Sequence, residues 1–120
     1  MITFVHKQIV RFIYAIRGIC IGIAADPSFR IQCIGGAAFV AIFSYLLWPL
    51  TGTESVALIL AWFLVMITEL QNSAFESALD RIHPDHHTDI GKSKDMAAGT
   101  VLLAGFFALF VVIGITFAHI

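Results

Sequence analysis

The sequence predicts an all-α integral membrane protein in which an N-terminal amphipathic surface helix precedes three transmembrane helices. Three observations predict it. The 120 residues are 59% hydrophobic and 12% charged, whereas soluble domains run at roughly 45–50% apolar and about a quarter charged. Mean hydropathy is +0.92, a value suited to a lipid solvent. The basic side chains fall in only two stretches, Lys7 to Arg30 and Arg81 to Lys94, with long apolar runs between and after them.

Each element follows in order. Lys7, Arg11 and Arg17 leave a polar stripe on the otherwise apolar residues 1–25, the pattern of a helix lying on a membrane surface. Arg17 also interrupts what would be the apolar core of a signal peptide. Asp26-Pro27 ends this helix, because proline disfavours helical geometry in the residue before it. Residues 31–50 carry no charge and match the roughly 20 residues that a span needs, with Trp48 at the interface and Pro49 opening a short turn. The second span, 55–82, is apolar only from Val56 to Ile67, and strong helix formers carry it past the lipid as a cytoplasmic extension. Residues 83–95 form a polar, proline-interrupted loop. The third span, 96–119, carries no Asp, Glu, Lys or Arg, and its Gly99, Gly105 and Gly114 are expected where small residues let helices approach closely. Residues 1–120 read as one membrane-embedded unit without internal repeats.

Charge and cysteine usage exclude several functions. A net charge of −1 gives no basic patch for nucleic acid. Cys20 and Cys33 have neither the spacing nor the neighbours of a zinc or redox site. By the positive-inside rule, the N-terminus and the 81–95 loop face the cytoplasm.

The chemistry concentrates in Ile67–Ile82, ITELQNSAFESALDRI. Glu69, Asn72, Glu76 and Asp80 recur at i, i+3, i+7 and i+11, which places them on one stripe of a helix. A carboxylate inside a membrane costs a few kcal/mol unless it is paired or faces water, so it marks a functional site. The plainer reading puts Glu76 and Asp80 in water at the mouth, with Asp80 paired to Arg81 or Lys94. A merely solvated mouth, however, does not require Glu69 and Asn72 deeper on the same face. Three spans cannot enclose this stripe alone, which predicts a homo-oligomer.

In the loop that follows, Lys94 and the start of the third helix suit phosphate oxygens. Gly91-Lys92-Ser93 is not a P-loop, because His86 stands where that motif needs glycine and no strand precedes it. His83, His86 and His87 with Asp85 and Asp89 match no zinc spacing and read as solvated loop residues, some of which can touch a nucleotide.

The run E-L-Q-N-S-A-F-E-S-A-L-D-R-I, then G-K-S-K-D-M-A-A-G, closely resembles the signature of the prokaryotic diacylglycerol kinase family. The resemblance covers most of the chain. It implies an ATP- and Mg2+-dependent lipid kinase of the bacterial inner membrane, assembled as a helical-bundle homotrimer, that phosphorylates the hydroxyl of diacylglycerol to give phosphatidic acid. It also implies the roles. Glu69 resembles the catalytic base and a lipid-binding residue, Asn72 a residue that orients the base or the reacting hydroxyl, and Glu76 a metal ligand. Lys94, Asp95 and Tyr14 resemble nucleotide-binding residues, with Asp85 and His87 at the family's nucleotide loop. Arg30 and Ala98 fall at lipid-substrate positions. The chain departs from the pattern at Asp26, which stands as the second metal carboxylate where relatives carry glutamate. Two alternatives stay open: undecaprenol as acceptor, as in relatives from many Gram-positive bacteria, and a non-enzymatic membrane protein or proton relay built on Glu69.

Overall fold

The computed structural model describes the backbone of residues 1–120 and every side chain except that of Ile2. It is all-helical, with α1 at Ile2–Ala25, α2 at Pro27–Leu46, α3 at Gly52–Ile82 and α4 at Thr88–His119.

The joint between α1 and α2 is a single residue. Asp26 has extended backbone, Pro27 takes the first position of α2, and the Asp26 carboxylate accepts from the Ser28 amide at 2.9 Å. Proline is tolerated there because a first-turn amide has no helical partner to lose. Arg30 turns back and donates from its guanidinium to the Ile23 and Ala24 carbonyls at 2.8 and 2.9 Å, satisfying the end of α1. With this joint in place α2 begins at Pro27 and ends at Leu46, ahead of the expected 31–50 at both ends.

A capping box starts α3. The Thr51 hydroxyl accepts from the Glu54 amide at 3.2 Å while the Glu54 carboxylate accepts from the Thr51 amide at 2.8 Å. The same carboxylate meets the His119 ring at 3.2 Å, tying the start of α3 to the end of α4. With 31 residues, α3 is about 46 Å long at 1.5 Å per residue, longer than a hydrocarbon core of about 30 Å.

The N-terminus of α4 lies earlier than expected. It starts at Thr88, not 96, because the His87 ring accepts from the Asp89 amide at 3.2 Å as an N-cap. Histidine is not among the residues that usually announce a cap, so the sequence reading placed 88–95 in the loop. Gly91-Lys92-Ser93 is therefore helical.

Helix α3 packs on both α4 and α2, and the three helices line a common cavity of about 300 Å³. Among the described residues α2 and α4 do not pack on each other, and the molecule measures 51 × 47 × 23 Å. Leu58 and Ala61 of α3 and Ala104 and Ile115 of α4 are buried. The glycines expected at this contact are not there: a side chain at Gly99, Gly105 or Gly114 would meet open space. Ala97, Ala104, Ala108 and Ile115 recur on one face of α4, and the three glycines lie off that stripe.

Close approach is instead needed at Gly36 and Gly22. The Trp62 indole lies where a Gly36 side chain would be and donates to the Gln32 carbonyl at 2.9 Å. Gly22 admits Leu70 and Phe29 against the end of α1. Elsewhere α1 stands almost entirely exposed. All four helices are long and apolar enough to cross a membrane, including Thr3–Ala25 with a mean hydropathy of 1.5. The sequence reading counted three, because it weighed the basic stripe; from Gln8 to Ala25 only Arg11 and Arg17 are charged.

Candidate functional site

The α1–α2 joint docks on the acidic stripe of α3. Among the described residues Glu69 is the one buried charged side chain, 8% exposed. The Ser73 hydroxyl, one turn further along, donates to the Asp26 carboxylate. Ser73 precedes Glu76 by three positions, so Asp26 is held between Glu69 and Glu76 on one face. Asp26, Ser28 and Glu76 are the polar groups acting on the Glu69 carboxyl. Three carboxylates thus share one short stretch of α3, and the nearest basic groups are committed elsewhere: Arg30 to the end of α1, and Lys94 to Asp80.

Glu76 itself is exposed and leads toward the loop end of the molecule. There Lys94 donates to Asp80 across the α3–α4 seam, with Glu76 also within its electrostatic reach. Lys94 lies in the first turns of α4, ahead of the apolar stretch, and the Asp80 hydrogen bond holds its ammonium above the usual lysine range. It stays fully charged. Beside it a polar pocket of about 240 Å³ brings together Asp85, His87 and Lys94 with His83. His83 meets the Asp85 carbonyl at 3.0 Å and its ring stands 5.4 Å from that of His87. The His87 cap uses one ring nitrogen and leaves the other open.

Other expected residues are more scattered. Asn72 lies toward α4, where its side-chain oxygen is buried without a partner among the described residues. It lines a groove with Phe75, Ala97 and Thr100. Asp95 and Ala98 are exposed on α4. Tyr14 is 63% exposed on α1, about 18 Å along the axis from Asp26 at 1.5 Å per residue. A single chain therefore gathers Asp26, Glu69 and Glu76 at one level and Asp85, His87 and Lys94 at another, and leaves Tyr14 apart. Ser28 and Ser73 have no role assigned from the sequence, although Ser73 lies within the signature run that carries the family resemblance. Serines inside a helix carry no spacing signal, and their task depends on what the next helix brings.

The donor set fits magnesium. Among the described residues no three His, Cys, Asp or Glu side chains close into a cage. Magnesium, however, is commonly held by one or two carboxylates together with substrate phosphates. Each Asp26 oxygen makes one hydrogen bond and keeps a lone pair, and Glu76 is exposed beside it.

Residues 13–116, which include every one of these groups, match the prokaryotic diacylglycerol kinase family. The chain belongs to that family. It is 38% identical over 104 residues to the diacylglycerol kinase of Synechocystis sp., covering 86% of this chain and 58% of that protein. It is 33% identical over 91 residues to the diacylglycerol kinase of Escherichia coli strain K12, covering 76% of this chain and 73% of that protein. The Haemophilus influenzae diacylglycerol kinase is 30% identical over 91 residues. The chain spans little more than half the length of the Synechocystis relative. With several helices long and apolar enough to span, the family member is a multi-pass bacterial membrane protein.

Proposed function

We propose that the protein is an ATP- and Mg2+-dependent lipid kinase that phosphorylates diacylglycerol to phosphatidic acid. The observation that carries this reading is the buried Glu69 beside Asp26, on an acidic face that leads through Glu76 to Lys94 and the polar loop pocket. A membrane-dissolved alcohol meets Glu69 at the apolar end of that face, and a soluble nucleotide meets Lys94 at the polar end.

Phosphoryl transfer depends on alignment and charge neutralisation more than on covalent chemistry. Glu69 accepts the proton of the lipid hydroxyl as its oxygen bonds to the γ-phosphorus. The bond from that phosphorus to the bridging oxygen breaks, and ADP leaves. Asp26 and Glu76 would hold Mg2+, which supplies positive charge to the phosphate oxygens. Lys94 exchanges Asp80 for phosphate and steadies the same charge. Asp85, His87 and Asp95 line the approach of the nucleotide, and Asn72 orients the reacting hydroxyl. Arg30 and Ala98 border the lipid head group.

The positive-inside rule sets the N-terminus and the 81–95 loop in the cytoplasm, with α1 along that surface. Copies of the chain, three in the proposed assembly, bring α1 and Tyr14 over a neighbour's site and cover the groove beside Asn72. The test is to incubate the purified chain with Mg-ATP and either diacylglycerol or undecaprenol. Phosphatidic acid formation supports the proposal, preference for undecaprenol changes the acceptor, and turnover of neither lipid overturns it.

A further inference from the structure

Ser73 sits between Glu69, four residues before it, and Glu76, three residues after it, with no role of its own in the reaction proposed above. Hydroxyls inside a membrane helix usually satisfy themselves by donating to a carbonyl three or four residues back. Thr68, Thr100 and Thr116 do so, to Leu64, Ala97 and Val112 at 2.8, 2.6 and 2.8 Å. Ser93 does the same to Asp89 at 3.1 Å. Ser73 departs from this habit and donates across to the Asp26 carboxylate at the start of α2. The other Asp26 oxygen is held by the Ser28 amide of its own helix. Two donors on two helices thus fix the rotation of a short side chain that neither helix could fix alone.

We propose that Ser73 is a positioning residue, pinning the Asp26 carboxylate against α3 beside Glu76 so that the two form the carboxylate pair for a divalent cation arriving with nucleotide phosphates. This rests on the kinase reading of the site. The pin acts on the fold as well, because α1 continues directly from Asp26 and has few other contacts with the bundle.

The experiment compares the full chain with Ser73→Ala and Ser73→Thr in lipid nanodiscs. Mn2+ binding is followed by electron paramagnetic resonance in the presence of a non-hydrolysable ATP analogue. Hydrogen exchange is followed at the Ser28 amide without metal. In Ser73→Ala, Mn2+ binding weakens by about tenfold or more, as when an outer partner of a metal ligand is lost. Exchange at Ser28 quickens, and KM for the lipid is unchanged. Ser73→Thr, which keeps the hydroxyl, restores both readouts and shows that loss of packing is not the cause. Wild-type Mn2+ affinity in Ser73→Ala overturns the positioning role, and so does a threonine variant that behaves like alanine. Unchanged exchange at Ser28 overturns the pin itself. A wild-type chain that neither binds the Mn2+–nucleotide pair nor turns over lipid removes the kinase reading, and the cation role of Ser73 with it.

Discussion

A carboxyl group at membrane depth is costly unless its surroundings stand in for water, and Glu69 has the Ser28 hydroxyl as a hydrogen-bond partner but the carboxylates of Asp26 and Glu76 as like charges near it. Replacing it separates a structural from a chemical role. Glu69→Gln keeps the shape and the hydrogen-bonding capacity but cannot take up a proton. On the proposed mechanism kcat falls about 10²- to 10⁴-fold, the usual worth of a general base, with nucleotide affinity and thermal stability unchanged. Turnover close to wild type would remove Glu69 as the base. Glu69, Glu76 and Asp80 stand out in the sequence because acids spaced along an apolar helix have few structural explanations, whereas Asn72, placed on the same stripe by spacing, turns toward α4. The two serines do not stand out. A hydroxyl is at home on any helix, and whether it serves itself or a neighbour is settled only by which residue α2 sets opposite it. Nor did spacing reveal that Arg30 and His87 build caps, since both tasks use backbone groups that a sequence pattern does not display.

At the level of the helices, composition fixed their existence and local capping fixed their ends. The continuous course of α3 to Ile82 was legible in its helix formers, whereas α4 gained eight residues from a histidine cap that propensity does not announce. The most demanding contact joins α2 to α3, where the Trp62 indole rests on the bare backbone of Gly36 and donates to Gln32. Gly36→Val leaves no room for the ring and breaks that hydrogen bond together with the packing. The expected cost is about 1–3 kcal/mol, in the range of overpacked interiors, measurable as a lower midpoint of thermal unfolding in detergent. Gly105→Val, on a glycine with open space around it, serves as the control and leaves the midpoint unaltered. The control matters because the sequence singled out the glycines of α4 as contact residues and overlooked the alanines, which have small side chains but lie on the correct stripe.

The whole molecule has little interior: six hydrophobic or charged residues and one glycine are buried among those described. The broad apolar faces that remain need either lipid or another copy of the chain. The buried oxygen of Asn72 beside a groove and the isolation of Tyr14 on α1 favour copies. If neighbours complete the site, mixing an inactive Glu69→Gln chain with an inactive Tyr14→Ala chain restores part of the activity, because some sites in the mixed assembly receive both intact residues. Failure to recover activity, with mixed assemblies demonstrated by differential tagging, would confine the site to one chain. The place of Glu69 has a further consequence. Because Glu69 lies beneath the α1–α2 joint and not inside a closed bundle, the route to it on the proposed function runs through the plane of the membrane. On that function an acceptor alcohol would arrive by two-dimensional diffusion and its product would depart the same way, without extraction into water, and encounter frequency would follow the surface density of the lipid and not its bulk concentration.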